Sequence, residues 1–179
     1  MAKDYTSSLN LPKTEFSMKA NLPTREPETI AYWKEIDLYN SMIEAREGKE
    51  PFTFHDGPPF SNGNIHMGHA LNKILKDFIN KYKAMSGYKI SFIPGWDNHG
   101  MPIESAIIKK NKLDRKKMSI PEFRNACEKF AQGFVETQMQ QFIRLGVTAD
   151  WKHPYLTMEK GFEGTEINVI TVENPRDMT

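Results

Sequence analysis

The stretch Phe52-Thr53-Phe54-His55-Asp56-Gly57-Pro58-Pro59-Phe60-Ser61-Asn62-Gly63-Asn64-Ile65-His66-Met67-Gly68-His69 joins a short β-prone run, a glycine- and proline-rich loop and the opening of a helix. Met67, Leu71, Ile74, Phe78, Tyr82 and Met85 then recur every three or four residues from about His66 to Ser86. Gly87 stands where a helix C-cap belongs. Tyr88, Ile90 and Phe92 alternate with Lys89 and Ser91 before Pro94-Gly95, which predicts a second strand. Strand, helix and strand over 52–93 fit a right-handed βαβ unit with parallel strands. Ligands in such sheets sit beyond the carboxyl ends of the strands. The loops Gly57–Gly63 and Pro94–Gly100 are therefore expected at one sheet edge.

Upstream, Pro12, Pro23 and Pro27 among Ser, Thr and Asn predict an extended arm over residues 1–27. A helix is expected from Pro27, with Ile30, Trp33, Ile36, Leu38 and Met42 near helical spacing and Gly48 as its stop. Downstream, 102–112 reads as a short helix. Pro121–Leu145 reads as a long one with Phe123, Cys127, Phe130, Phe134 and Phe142 on one stripe. Ser119-Ile120-Pro121-Glu122 has the form of a capping box, which accounts for the serine of Lys116-Lys117-Met118-Ser119 without a ligand. Gly146 ends that helix, and GVTADWKHPYLTM is irregular or a short strand.

The 179 residues include 24 Lys+Arg against 23 Asp+Glu, a formal net charge of +1, which argues against coating nucleic acid by charge alone. The lone Cys127 excludes an internal disulfide framework and a zinc site built on paired cysteines, and favours a reducing compartment. The polar N-terminus has no apolar core of a signal peptide, and no run of 18 apolar residues occurs, so a cytoplasmic protein with no membrane partner is expected.

His66 and His69 lie at i and i+3 in the first turn of the periodic helix, so both imidazoles share a face. Unpaired backbone N–H groups and the positive end of the macrodipole at that turn favour an anion such as phosphate. Imidazole donors there can follow charge as it develops on a phosphoryl group. Gly68 leaves room for a flat ring or a phosphate. A plain glycine turn with two solvated histidines accounts for the spacing equally well. A P-loop is excluded because His69-Ala70 follows Gly68 where Lys and Ser/Thr are required. The dinucleotide fingerprint lacks its first glycine spacing, and a His-Glu-x-x-His zinc helix is absent. In GWDNHG, Asp97 could hold a cationic amine and His99 could touch a nucleotide; an Asx-turn at Asp97 over a packed Trp96 is the competing explanation.

The run HDGPPFSNGNIHMGHALNKILKDF, followed by YKAMSGY and PGWDNHGMPIE, closely resembles the N-terminal part of the bacterial isoleucyl-tRNA synthetase family, within the class I aminoacyl-tRNA synthetases. NLPKTEFSMKANLPTREPE and QFIRLGVTADWKHPYLTM extend the likeness over residues 5 to 158. The resemblance implies an α/β fold: a partial Rossmann-type, class I synthetase nucleotide-binding domain with an N-terminal arm and helix. It divides into 1–50 (arm and helix), 51–160 (first half of the catalytic domain) and 161–179 (a tail that departs from the family).

By that resemblance the chain is identified with isoleucine–tRNA ligases, which activate isoleucine with ATP and transfer it to tRNA(Ile). His66 and His69 would stabilise the transferring phosphate. Pro59, Asn62, Gly63, His66, Gly68 and His69 would contact ATP, brought as its Mg2+ complex. Gly57, Pro58 and Asp97 would border isoleucine, with Asp97 pairing its ammonium. No metal ligand is assigned and zinc is not expected. Met67 replaces the isoleucine of the family's HIGH signature, a conservative change. Complete members are several times longer, with a KMSKS loop that Lys117-Met118-Ser119 does not supply, an editing insertion and anticodon-binding parts. These residues alone are therefore expected to aminoacylate weakly or not at all, and a complementary chain is a further partner to test. A non-catalytic adenine-nucleotide-binding or interaction module and a non-functional remnant remain the alternatives.

Overall fold

The computed structural model describes residues 8–9 and 19–173. Most of the expected arm and the last six residues of the expected tail lie outside them. Helix α1 (Leu22–Glu35) begins five residues before the position read from the sequence, with Pro23 in a first turn that needs no amide donor. The single helix expected up to Gly48 is two. Asp37 takes a left-handed conformation (φ 45°), and α2 (Leu38–Glu44) restarts from it. Asn40 Nδ2 donates to Asp37 Oδ2 at 2.8 Å and Ser41 Oγ to Ile36 O at 2.9 Å, so short polar side chains hold the break.

The crossover read from the sequence is present. Strand β1 (Pro51–Thr53) pairs in parallel with β2 (Lys89–Ser91), Phe52 opposite Ile90, and α3 (Met67–Met85) runs between them. Gly87 at φ 96° supplies the left-handed residue after α3. GWDNHG is more than a loop: β3 (Gly95–Trp96) pairs in parallel with β4 (Tyr155–Leu156), inside the segment expected to be irregular or a short strand. Helix α4 (Met101–Asn111), a short 3-10 turn (Arg115–Lys117), α5 (Ile120–Arg144) and α6 (Lys160–Glu173) complete the described chain. Ser119 caps α5 in a reciprocal box with Glu122, as its spacing predicts.

Two apolar clusters hold these elements together. Ala84, Ile90, Phe92, Val147 and Ala149 form one; Trp96, Val135, Phe142 and Leu156 form the other, and Trp151 packs against both. The buried stripe of α5 is Phe123, Ala131, Val135, Gln138 and Phe142. Phe130 and Phe134 are only half-buried, an edge-to-face pair at 5.0 Å with Lys110 Nζ 4.5 Å from the Phe134 centroid, which corrects the expected phenylalanine stripe. Cys127 is half-buried, and burial pushes its thiol pKa up, as suits a packing residue and not a nucleophile.

The face of α3 that carries the periodicity is the exposed one. Leu71, Leu75, Phe78, Ile79 and Tyr82 are exposed, Phe78 at 62%, while Lys73, Asp77, Asn80 and Ala84 are buried. Charged residues suit the inner face because it meets backbone groups and another charge: Asp77 Oδ1 accepts from Thr148 N at 2.8 Å, and Lys81 Nζ donates to Gly146 O at 2.9 Å, whereas the buried Asn80 amide has no partner among the described residues. So large an apolar stripe in water promotes association. We expect the chain to bind a hydrophobic dye and to self-associate with rising concentration. Leu71→Glu/Phe78→Glu should relieve both with little change in melting temperature; unchanged sedimentation in the double variant would count against this.

Candidate active site

The two loops expected at one edge are joined there. Phe60 and Asp97 form a parallel bridge, Asp97 N donates to Pro59 O at 2.9 Å, and Ser61 N donates to Asp97 O at 3.2 Å. Side chains add to this: Asn98 Nδ2 donates to Ser61 Oγ at 2.8 Å, and both residues are buried. Helix α5 clamps the first loop from behind. Gln138 accepts from Trp96 Nε1 at 2.9 Å and donates to Phe60 O (3.0 Å) and Gly63 O (2.7 Å); Gln141 accepts from Ile65 N at 2.9 Å. Neither glutamine is among the residues that motif or resemblance singles out. A polar residue at 138 on the stripe that holds Val135 and Phe142 was the available signal, since a fully buried amide needs partners.

His66 is the N-cap of α3. Its Nδ1 accepts from Gly68 N (3.1 Å) and His69 N (3.4 Å), while His69 Nδ1 accepts from His66 N (3.4 Å), a capping box made of two imidazoles. The backbone donors expected to face an anion are thus partly used within the turn, which corrects that expectation. The donors move to the rings instead. An accepting Nδ1 puts the proton of a neutral imidazole on Nε2, so each ring presents an Nε2–H. The rings stack with centroids 3.7 Å apart and 18° between planes. The flat ring for which Gly68 makes room is that of His66: a Cβ on Gly68 would lie 2.9 Å from its Cε1.

Burial, then the neighbouring His66 and Lys73, lower the His69 pKa. A histidine whose folded pKa is lowered stabilises the fold fully above its unfolded value of about 6.5, and this contribution is lost as pH falls through the folded value. Protonating His69 also removes the Nδ1 that accepts from the His66 amide. The His66 amide should therefore lose exchange protection as pH falls, with the His69 ring signals titrating below the ordinary range; protection of that amide that is flat with pH would contradict the capping assignment.

A cleft of about 280 Å³ opens beside this turn, lined by Gly57, Pro58, Pro59, Phe60, Gly68, His69, Asn72, Lys73 and Phe142. Of the residues singled out from the sequence, Gly57, Pro58, Pro59, Gly68 and His69 line it, while Asn62, Gly63, His66 and Asp97 do not. His66 is exposed; Asn62, Gly63 and Asp97 are half-buried. Both features of the competing explanation for GWDNHG occur: His99 N donates to Asp97 Oδ1 at 3.2 Å, closing an Asx-turn, and Trp96 is fully buried. The turn uses one carboxylate oxygen of Asp97 and leaves Oδ2 without a partner among the described residues. His99 pairs with Glu163 of α6 at 3.2 Å. Among the described residues no cluster of three or more His, Cys, Asp or Glu side chains could hold a metal ion. No described helix is long and apolar enough to cross a membrane.

Residues 28–172 match the family described as tRNA synthetases class I (I, L, M and V). The chain belongs to this family. The match continues into α6, past residue 160, where the sequence reading placed the end of the likeness. Among curated relatives, the isoleucine–tRNA ligase of Shouchella clausii (strain KSM-K16) is 54% identical over 167 residues, 93% of this chain and 18% of that protein. The isoleucine–tRNA ligase of Bacillus subtilis (strain 168) is 51% identical over the same extent. The chain thus spans 18% of the length of these relatives. In three dimensions it is similar to the agnB2 LeuRS of Agrobacterium radiobacter K84, solved in a ternary complex with tRNA and LeuAMS. The TM-score is 0.69 at 18% identity, over 88% of this chain and 18% of that one, which supports the partial class I synthetase fold.

Proposed function

We propose that this class I synthetase chain carries one wall of an isoleucine-activating site. The observation that carries the proposal is the histidine box, which places the His69 ring on a cleft walled by Gly57, Pro58 and Pro59 and stacks the exposed His66 ring against it. The likeness to isoleucine–tRNA ligases supplies the substrates: isoleucine, ATP and, in the complete protein, tRNA(Ile). In this reading the isoleucine carboxylate attacks the α-phosphorus of ATP and pyrophosphate departs. His66 and His69 donate to phosphoryl oxygens as their charge grows, and neutral rings fixed in one tautomer need no reorganisation to do so. Gly57 and Pro58 border the amino acid, and the free Oδ2 of Asp97 pairs its ammonium. Pro59, Asn62, Gly63 and Gly68 shape the ATP side of the loop. Mg2+ would arrive with the phosphates and neutralise part of their charge.

Isoleucine-dependent ATP–pyrophosphate exchange tests this, with His69→Ala prepared identically to expose contaminating host enzyme. The cleft is open to water, which weakens electrostatic catalysis, so binding is expected to exceed turnover. A non-hydrolysable isoleucyl-adenylate analogue should bind in calorimetry and lose at least tenfold in affinity on Asp97→Ala. Absence of analogue binding to a folded chain would refute the proposal.

A further inference from the structure

Directly behind the cleft a single carboxylate is enclosed by three parts of the chain. Asp56 is 0% exposed and sits between β1 and the Gly57-Pro58-Pro59 wall. Its Oδ2 accepts from Lys73 Nζ and, at 3.2 Å, from Gly95 N; its Oδ1 accepts from Lys76 Nζ at 2.9 Å. Its backbone oxygen accepts from Tyr155 Oη at 2.8 Å. Lys73 is 2% exposed, lies one turn beyond His69 on α3, lines the cleft, and has its Nζ 5.2 Å from the Phe142 centroid.

A buried pair of this kind is weak evidence for stability, because desolvating both charges offsets their attraction. It is better suited to fixing geometry. The three segments that meet at Asp56 are those bearing the proposed site residues: the loop with Gly57 and Pro58, the helix with His66 and His69, and the strand that leads into Asp97. Two lysines face one carboxylate; burial pushes the Lys73 pKa down, and the Asp56 carboxylate beside it works against that shift. Hydrogen bonds that lock rotamers behind reacting groups preserve site geometry against displacements of the order of an ångström.

We propose that Asp56 and Lys73 are positioning residues that lock the histidine turn, the proline wall and the Asp97 loop into one rigid arrangement. The inference rests on the activation-site reading for its functional meaning and on geometry alone for the locking. Asp56→Asn/Lys73→Met removes the Asp56–Lys73 pair and leaves Lys76, whose side chain is 14% exposed, to turn its ammonium to water; Lys73→Arg keeps the cation as the conservative control. Three readouts are taken: thermal melting, amide exchange at Ser61, His69 and Asp97, and calorimetry with the isoleucyl-adenylate analogue.

The double variant is expected to melt within a few degrees of the parent, yet to exchange those three amides at least tenfold faster and to lose at least tenfold in affinity. Lys73→Arg should recover most of both. If the double variant melts, exchanges and binds like the parent, the pair is an ordinary structural contact and the proposal is overturned. If the three amides respond but the parent binds no analogue, the locking stands and the activation-site reading fails. If the double variant does not fold, Asp56→Asn takes its place, and parental exchange and affinity in that variant overturn the proposal.

Discussion

Replacing Gln138 with leucine is expected to destabilise the chain by about 3–5 kcal/mol, since an unsatisfied buried polar group costs about 1–3 kcal/mol. Leucine fills similar volume, so packing around Val135 and Phe142 is nearly preserved and the loss is polar. Trp96 Nε1–H loses its acceptor, and the carbonyls of Phe60 and Gly63 each lose a donor. The effect is large against a typical domain stability of about 5–15 kcal/mol. It should appear as a melting temperature lowered by roughly 10 °C and as indole fluorescence altered for a tryptophan that is otherwise fully buried. Gln138→Glu separates hydrogen bonding from shape: it can still accept from Trp96 but cannot donate to the two carbonyls. It should fall on the destabilised side, and a melt equal to the parent in both variants would show that the clamp contributes nothing.

Gly95→Ala is expected to be as damaging for a different reason. A Cβ at this position would overlap the Tyr155 ring, which lies flat against the strand backbone where β3 pairs with β4. The ring can yield only at a cost, because its hydroxyl donates to Asp56 O at 2.8 Å and the ring lies parallel to Phe162 at 6.0 Å. Overpacking alone costs about 1–3 kcal/mol. Displacing the ring adds the lost hydrogen bond, about 1 kcal/mol. A thermal or urea melt of Gly95→Ala measures the sum. Gly95→Ala/Tyr155→Leu removes the obstructing ring, so the two changes should be clearly less than additive. Strict additivity would mean that the ring is not what the methyl group meets.

The local elements and their ends were open to reading from the sequence. The extent of α3, its stop at Gly87, the serine–glutamate cap of α5 and the start of α4 follow from contacts spanning four residues or fewer, which composition and spacing report directly. The joining of GPPFSNG and GWDNHG followed from one topological rule applied to a strand, helix and strand. The break at Ile36–Asp37 has no signal in the sequence because a left-handed aspartate leaves no periodic signature, and the spacing to Met42 continues through it. The strand at Gly95–Trp96 has no local signal because its partner lies some 60 residues away, at Tyr155–Leu156. For the site, type and spacing single out the two histidines, while Gly57, Pro58 and Pro59 enter only through the family resemblance. The reciprocal hydrogen bonds of the histidines, which move the donors from backbone to ring, required coordinates.

By itself the sequence determined the crossover, the histidine turn and the family likeness, because these are encoded in neighbours along the chain. Only the tertiary structure decided which face of α3 is covered. Periodicity defines a stripe but not the side from which other elements approach, and here they approach from the side of Lys73 and Asp77. Tertiary structure alone also placed Gln138 under Trp96 and enclosed Asp56 between Lys73, Lys76 and the Gly95 amide. Those partners lie 17 to 42 residues apart. At such separations no local spacing links a donor to its acceptor; burial creates the link, because a polar group removed from water has to find its partner inside the protein.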